Sequence, residues 1–159
     1  SLARLGSYEN PRKLLRAIPG VTLVELKHNR ADSLCCGGAT NTWRPEISEP
    51  LRRAPLEEAR ATGAQIVATT CTGCQKSFAP LEKDYPFEVR SYISLLAESL
   101  GVSQEDKFKR YVNYAGVDDV ISDAGASIEA GGYTAAEMRK VLPEYLDRFC
   151  ARHGRPRSG

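Results

Sequence analysis

Apolar residues in the first part of the chain follow two different spacings. Three short runs rich in β-branched and other apolar residues, at 21–26, 65–70 and 87–90, predict β-strands. Between and around them, apolar positions recur every three or four residues, which is typical of helices with one buried face. The helices predicted in this way span residues 10–18, 45–61, 72–83 and 91–100.

Local signals refine these elements. Residues 65–70 are apolar or small on both faces, so we expect this strand to be buried. Pro50 and Pro55 predict a break in the second helix, and Gly63 predicts its end. The helix that begins after the third strand is expected to bury one apolar face, formed by Ile93, Leu96 and Leu100.

Strands that alternate with helices predict an α/β fold, here a small layered domain with a parallel sheet and helices on both faces. This domain is expected to span residues 1–101, and the remainder, 102–159, is expected to form a helical C-terminal extension packed on it. Thr134 and Glu137 match a capping box at the start of the last helix. The helices predicted in the extension span 107–114, 117–130 and 134–149.

Composition narrows the possible functions. The 159 residues are 42% hydrophobic and 26% charged, with 22 basic and 20 acidic side chains. The resulting net charge of +2 gives no electrostatic reason to expect nucleic acid as a partner. No apolar run approaches the roughly 20 residues that span a bilayer, so we expect no direct membrane insertion. Since the chain starts without methionine, we expect it to be a piece of a longer protein.

The five cysteines carry the clearest chemical signal. Four of them form two close pairs, Cys35 with Cys36 and Cys71 with Cys74, and 34 residues separate the pairs. Thiolates are soft ligands that suit iron–sulfur clusters and zinc. The second pair, in the sequence CysThrGlyCys, directly follows a predicted strand and opens a predicted helix, so both sulfurs can face one centre. The pairs therefore predict a metal centre whose ligands are these four cysteines.

Glycines beside both cysteine pairs support this interpretation. Gly37, Gly38 and Gly73 would let the main chain approach a large prosthetic group closely. Four buried, inert thiols are the plain alternative, but such thiols have no reason to occur in glycine-flanked pairs. A dithiol redox motif of the thioredoxin type is a third interpretation, which leaves the CysCysGlyGly segment unexplained.

CysCysGlyGly followed by CysThrGlyCys resembles the cysteine-rich CCG domain of the heterodisulfide reductase B/D-like family. The resemblance extends over most of the chain, but the chain lacks the first cysteine of the family pattern. Arg4 matches the arginine that follows this cysteine by four residues in the family, so the cysteine would fall one position before Ser1. The resemblance implies a [4Fe–4S] cluster, non-cubane where the family site is complete. Zinc is the alternative for the four cysteines that remain.

The resemblance also implies a function. It indicates an iron–sulfur oxidoreductase subunit that transfers electrons and carries out thiol/disulfide redox chemistry at the cluster. Implied partners are subunits or domains with ferredoxin-like clusters or flavin, and a membrane cytochrome b or quinone partner that would hold a cytoplasmic protein at the membrane. The alternative is a non-catalytic four-cysteine zinc module, or an electron-transfer module, of a flavin-dependent hydroxy-acid-oxidising or quinone-linked complex.

Four other residues could have a role at the site. Cys150 shows no ligand spacing, so we expect a packing or free thiol. His28 is expected in a solvated loop, although a proton donor at this position would suit the site. Trp43 is expected either to shield the cluster or to pack in the core. Arg44 is expected to form a surface ion pair, with charge compensation of an anionic cluster as the alternative. No residue is assigned a catalytic role.

Overall fold

A computed structural model describes residues 6–103, 105–114 and 116–149 of the chain. The chain divides into two compact units, Ser1–Glu105 and Asp106–Gly159. The first unit carries both cysteine pairs and the second is helical. Cys150 lies outside the described residues.

The first unit is built around a strand–helix–strand motif. Strand β1 (Ile66–Thr69) pairs in parallel with β2 (Glu88–Ser91), in a register that sets Ile66 beside Glu88. The connection between them contains helix α4 and a 3₁₀ stretch. The helices of this unit are α1 (Glu9–Arg16), α2 (Gly38–Trp43), α3 (Pro45–Thr62), α4 (Thr72–Phe78) and α5 (Tyr92–Ser99). This arrangement confirms the α/β class, with helices around a small parallel sheet.

The core of the first unit lies between α3, the connection and β2. Leu56 of α3, Leu81 of the 3₁₀ stretch and Val89 of β2 are each 0% exposed. Further buried apolar side chains surround them, namely Leu15, Ile18, Ala59, Phe78, Ala79 and Phe87. The core therefore fixes the orientation of α3 and α4, the two helices against which the cysteine segments lie.

The strand predicted at 21–26 is wrong. This segment is irregular and belongs to no sheet, and the described residues contain one sheet, of two strands. Val21 and Val24 are 39% and 46% exposed, so their β-branched side chains have no facing surface to pack against. β-propensity describes a fit to a pleated, half-buried surface, which is missing here. Strand β1 does pair in the sheet, but it is less buried than predicted, with Ile66 39% exposed.

Helix α3 runs without the predicted break through Pro50 and Pro55, and it ends as predicted at Gly63, where φ is +70°. An interior proline removes a helical hydrogen bond, which disfavours the helix locally. In α3 tertiary packing outweighs that cost. A buried stripe with a spacing of four residues, Ser48, Arg52 and Leu56, fastens the helix to the unit.

Two further predicted elements differ in detail. The helix predicted at 72–83 is helical only to Phe78 and tightens into a 3₁₀ stretch at Ala79–Asp84, which contains Pro80 near its start. Helix α5 lies against α1 and β2, but the apolar face predicted for it is not buried. Ile93 is 52% exposed and Leu100 is 75% exposed.

The second unit contains helices α6 (Lys107–Val112), α7 (Val117–Ala130) and α8 (Ala135–Phe149), with α7 packed on α8. The predicted capping box is confirmed. The Glu137 carboxylate accepts from the Thr134 backbone N–H at 2.8 Å, and the Thr134 hydroxyl accepts from the Glu137 N–H at 3.2 Å. Among the described residues, no helix has both the length and the apolar character that crossing a bilayer requires.

Candidate metal centre

The second cysteine pair stands where β1 passes into α4. Strand β1 ends at Thr69, and Cys71 is the residue that precedes the first turn of α4. The Cys71 carbonyl accepts from the backbone N–H of Cys74 at 3.0 Å and of Gln75 at 3.1 Å. This single turn brings both cysteines to one end of the helix, with Cys71 exposed and Cys74 half-buried.

The first pair precedes α2, in a loop that lies against α3. Gly37 has a left-handed backbone, with φ of +64°, and is the residue from which α2 starts. A Cβ at Gly37 would lie 3.1 Å from the Ser48 carbonyl oxygen and 3.2 Å from Cγ of Arg52. Both the backbone angle and the close approach therefore require glycine at this position. Cys35 is exposed and Cys36 is half-buried.

The two cysteine segments contact each other directly. A Cβ at Gly38 would lie 3.1 Å from the carbonyl oxygen of Gly73 and 3.6 Å from Sγ of Cys36. On the same side, the Ser77 hydroxyl of α4 donates to the Cys36 carbonyl at 2.6 Å. The structure thus brings together both predicted pairs and all three predicted glycines, across an interface between a loop and a helix.

The four thiols form a connected chain. Cys36 hydrogen-bonds with Cys74 and with Cys35, and Cys74 also hydrogen-bonds with Cys71. The hydrogen bond from Cys74, helped by the backbone N–H groups of Gly38 and Cys36, lowers the pKa of the Cys36 thiol to about 6, although burial opposes this. The same hydrogen bond, together with burial and the charges of Cys36 and Cys71, raises the pKa of Cys74. The two shifts run in opposite directions, so this inner pair favours the thiolate form at Cys36 and the protonated form at Cys74.

A buried arginine lies behind this pair. Arg52 of α3 is 2% exposed, and its guanidinium donates twice to the Ser77 carbonyl, from Nε at 3.0 Å and from Nη2 at 2.6 Å. Burial lowers its pKa, and the nearby charges of Glu49 and Cys36 act in the opposite direction. Sequence reasoning missed this residue. Its signal is the spacing of four residues that sets it between Ser48 and Leu56 on the buried side of α3.

Of the remaining candidates, Arg44 forms the predicted surface ion pair, with Glu46. Trp43 is 82% exposed, so the prediction that it packs in the core is wrong. His28 is more constrained than a solvated loop residue, because its backbone N–H and ring both contact the Glu58 carboxylate of α3. This contact lowers the pKa of Glu58.

The four sulfurs are the side chains at this site that could hold a metal centre. They lie beside backbone at Gly38 and Gly73 that carries no Cβ. Within the described ranges, no group of three Cys, His, Asp or Glu side chains has the geometry of a formed metal site. Four thiols are soft ligands, which suit an iron–sulfur cluster or zinc.

The fold and the site define a cysteine-rich α/β module with four thiols at a loop–helix contact. Residues 1–79, which include both pairs, match the family model described as the CCG cysteine-rich domain. This part of the chain belongs to the CCG cysteine-rich domain family, and the resemblance stated from the sequence is confirmed. No solved structure matches the chain.

Several curated proteins are similar to the chain. It is 30% identical over 105 residues to the D subunit of a dihydromethanophenazine:CoB–CoM heterodisulfide reductase of Methanosarcina barkeri, a match that covers 62% of this chain and 25% of that protein. It is 32% identical over 99 residues to FadF, a probable iron–sulfur-binding oxidoreductase of Bacillus subtilis, covering 58% and 14%. It is 31% identical over 98 residues to lactate utilization protein A 1 of Bacillus mycoides, covering 59% and 39%. The matches therefore span two fifths or less of each relative.

Proposed function

We propose that this chain is an iron–sulfur module of an oxidoreductase, with Cys35, Cys36, Cys71 and Cys74 as ligands of a [4Fe–4S] cluster. The observation that carries the proposal is the chain of four thiols at the contact between the CysCysGlyGly loop and the start of α4. Such a cluster, when bound, supplies one-electron transfer. Two of the similar proteins support the assignment to the iron–sulfur oxidoreductases, because one is a reductase subunit and the other is a probable iron–sulfur-binding oxidoreductase.

The residues of the chain divide the work at this site. Cys36 and Cys74 form the half-buried inner pair, and the lowered pKa of Cys36 favours the thiolate that would ligate iron. Cys35 and Cys71 form the exposed outer pair. Because this side faces solvent, a substrate sulfur or a partner's redox group can approach the cluster from it. Gly37, Gly38 and Gly73 keep the backbone close enough for both pairs to reach one centre.

We propose disulfides as the substrate class, by analogy with the heterodisulfide reductase relatives. Reduction of a disulfide consumes two electrons and two protons and yields two thiols. The electrons would come from other subunits or domains that carry ferredoxin-like clusters or flavin, with a membrane cytochrome b or quinone partner as their origin. The relative from Methanosarcina barkeri is itself the D subunit of a reductase, which supports a multi-subunit assembly.

A second candidate is an electron-transfer module without its own catalysis. The similarity to lactate utilization protein A 1, of which the chain spans the largest share among these three relatives, favours this role in hydroxy-acid oxidation. The cluster site would be the same in both cases. The two candidates differ in whether a disulfide is reduced at the cluster or electrons only pass through it.

The test is a determination of iron, zinc and acid-labile sulfide in anaerobically reconstituted protein, together with its visible absorption. We expect about four irons and a matching amount of sulfide. Cys36→Ser should abolish cluster binding, and Cys150→Ser, which removes the cysteine outside the two pairs, should leave it intact. One zinc per chain without sulfide in the wild type would overturn the proposed redox module and would indicate a four-cysteine zinc site. Disulfide turnover by the loaded protein, given a chemical reductant, separates the two redox candidates.

A further inference from the structure

Arg52 is a buried cation whose hydrogen-bond acceptors are neutral. Arg52 is 2% exposed. Its guanidinium donates to the Ser77 carbonyl and, at 3.5 Å, to the side-chain carbonyl of Asn41. A buried charge is costly unless an opposite charge compensates it. Among the described residues, no carboxylate lies within ion-pair distance of Arg52.

The next residue along α3 provides a direct comparison. Arg53 is only partly buried and pairs with the carboxylates of Glu49 at 2.9 Å and Asp84 at 3.0 Å. Two groups that can carry negative charge act on the buried Arg52 guanidinium, first Glu49 and then Cys36. Glu49 forms its ion pair with Arg53. The thiol site, which contains Cys36, is therefore expected to supply compensating charge on the buried side of α3.

Arg52 also connects the two segments that carry the cysteines. Its guanidinium holds the Ser77 carbonyl, and the Ser77 hydroxyl holds the Cys36 carbonyl at 2.6 Å. Arg52 also lies close to the loop itself, because a Cβ added at Gly37 would be only 3.2 Å from Cγ of Arg52. Through these contacts, one side chain of α3 sets the CysCysGlyGly loop against α4, the helix that contains Cys74.

We propose that Arg52 is the positioning residue of the thiol site and the buried counter-charge of the anionic centre bound there. It acts through Ser77 and Cys36 and touches neither substrate nor the reacting atoms. The inference rests on the proposed function, since the counter-charge requires a thiolate-ligated centre in front of it. Removal of the cation should favour the more oxidised, less negative form of a bound cluster, and so lower its reduction potential.

The experiment compares Arg52→Met, Arg52→Lys and the control Arg53→Met with the wild type. Two quantities are measured: the affinity of the reduced protein for Cd²⁺, followed by thiolate–metal absorption, and the reduction potential of the reconstituted cluster. Arg52→Lys keeps the charge and loses the two-fold hydrogen bond, so the Cd²⁺ affinity should fall about tenfold with a potential close to wild type. Arg52→Met should lower the affinity about 100-fold and also lower the potential. Arg53→Met should change neither.

The outcomes separate this inference from the function on which it rests. If the wild type binds neither Cd²⁺ nor a cluster, the proposed function falls, and the inference falls with it. If the wild type binds both, and the Arg52 variants match it in affinity and potential, the inference alone is overturned. Circular dichroism of each variant checks the fold, and Arg52→Lys keeps the test decisive if Arg52→Met does not fold.

Discussion

The two cysteine pairs reach the same site by different means. Cys71 and Cys74 are placed by local structure, because the strand–helix junction and one hydrogen-bonded turn present both sulfurs. Cys35 and Cys36 follow an irregular segment, and contacts with other elements set their position. The first pair depends on the packing of the whole unit, whereas the second depends mainly on its own sequence.

This difference determines where substitutions should matter. The CysThrGlyCys segment at the start of α4 keeps its geometry if this helix forms. The CysCysGlyGly loop keeps its geometry only if α3 and α4 are in place and the loop can lie flat against them. Changes outside the cysteines should therefore disturb the first pair more than the second.

The largest effect is expected from Gly37→Ala. Alanine would have to adopt a φ of +64°, and its Cβ would lie 3.1 Å from the Ser48 carbonyl oxygen. A left-handed backbone costs a non-glycine residue about 1–2 kcal/mol, and crowding against buried main chain adds to this. We expect the free energy of unfolding to fall by about 2–3 kcal/mol, measured by urea denaturation of the metal-free protein, with weaker Cd²⁺ binding.

Gly63→Ala is the matched control for this change. Gly63 has a φ of +70°, and a Cβ there would meet nothing within 4 Å. It therefore reports the backbone cost alone, and its Cd²⁺ affinity should equal that of the wild type. Equal losses of stability in the two variants would show that the contact between the loop and α3 contributes nothing.

Ser77→Ala should have the next largest effect. It removes the hydroxyl that donates to the Cys36 carbonyl at 2.6 Å and leaves the part-buried carbonyl without that donor. The expected loss of unfolding free energy is about 1–2 kcal/mol, with a lower Cd²⁺ affinity. Ser99→Ala, which removes a hydroxyl that donates to the Leu96 carbonyl at 2.7 Å on the surface of α5, is the control. A Cd²⁺ affinity that drops equally in both variants would rule out a specific link between α4 and the loop.

A smaller, pH-dependent effect is expected at the segment that leads to the loop. The Arg12 guanidinium donates to both oxygens of Glu25, at 2.6 and 2.8 Å, and this hydrogen bonding lowers the pKa of Glu25. A lowered carboxyl pKa stabilises the folded state above the unfolded pKa, and this contribution disappears as pH falls through the folded value. Glu25→Gln should therefore cost about 0.5–1 kcal/mol near neutral pH.

Urea denaturation of Glu25→Gln and wild type across the acidic range measures this contribution. The difference between the two proteins should stay constant down to the ordinary carboxyl range, near pH 4, and shrink below it. A difference that persists undiminished in strong acid would mean that the Arg12–Glu25 ion pair is not its cause. The Cd²⁺ affinity of Glu25→Gln should change little, because the loop is held by residues that follow it and not by this segment.

The parts of the fold that sequence predicts well are those with local causes. The strands at 65–70 and 87–90, the helix end at Gly63 and the capping box of Thr134 with Glu137 all follow from neighbouring residues. The segment 21–26 has an equally strong strand pattern and is irregular, because a strand also needs a partner that local sequence does not supply.

The residues of the site also differ in whether the sequence predicts them. The cysteine pairs and the glycines beside them are recognisable because their residue types and spacing are unusual. Arg52 and Ser77 were not, because an arginine or a serine in a helix is usually exposed, and only the packing of α3 on α4 buries these two. The spacing of Arg52 from Ser48 and Leu56 becomes informative once the buried face of α3 is known.

The smallest effect is expected from Gly73→Ala, on the helix side of the contact. The φ of Gly73 lies outside the left-handed region, and a Cβ there would lie 3.5 Å from Sγ of Cys71, an ordinary contact distance. Alanine also favours the helix by about 0.5–1 kcal/mol, so the free energy of unfolding should stay level or rise slightly.

Gly38→Ala, on the facing loop, would place its Cβ 3.1 Å from the Gly73 carbonyl oxygen and push the two segments apart. Urea denaturation and Cd²⁺ titration of both variants should therefore show a near wild-type protein for Gly73→Ala and a weakened site for Gly38→Ala. If Gly73→Ala is instead damaged as much as Gly38→Ala, the second pair does not carry its own geometry, and both pairs depend equally on the contact between loop and helix.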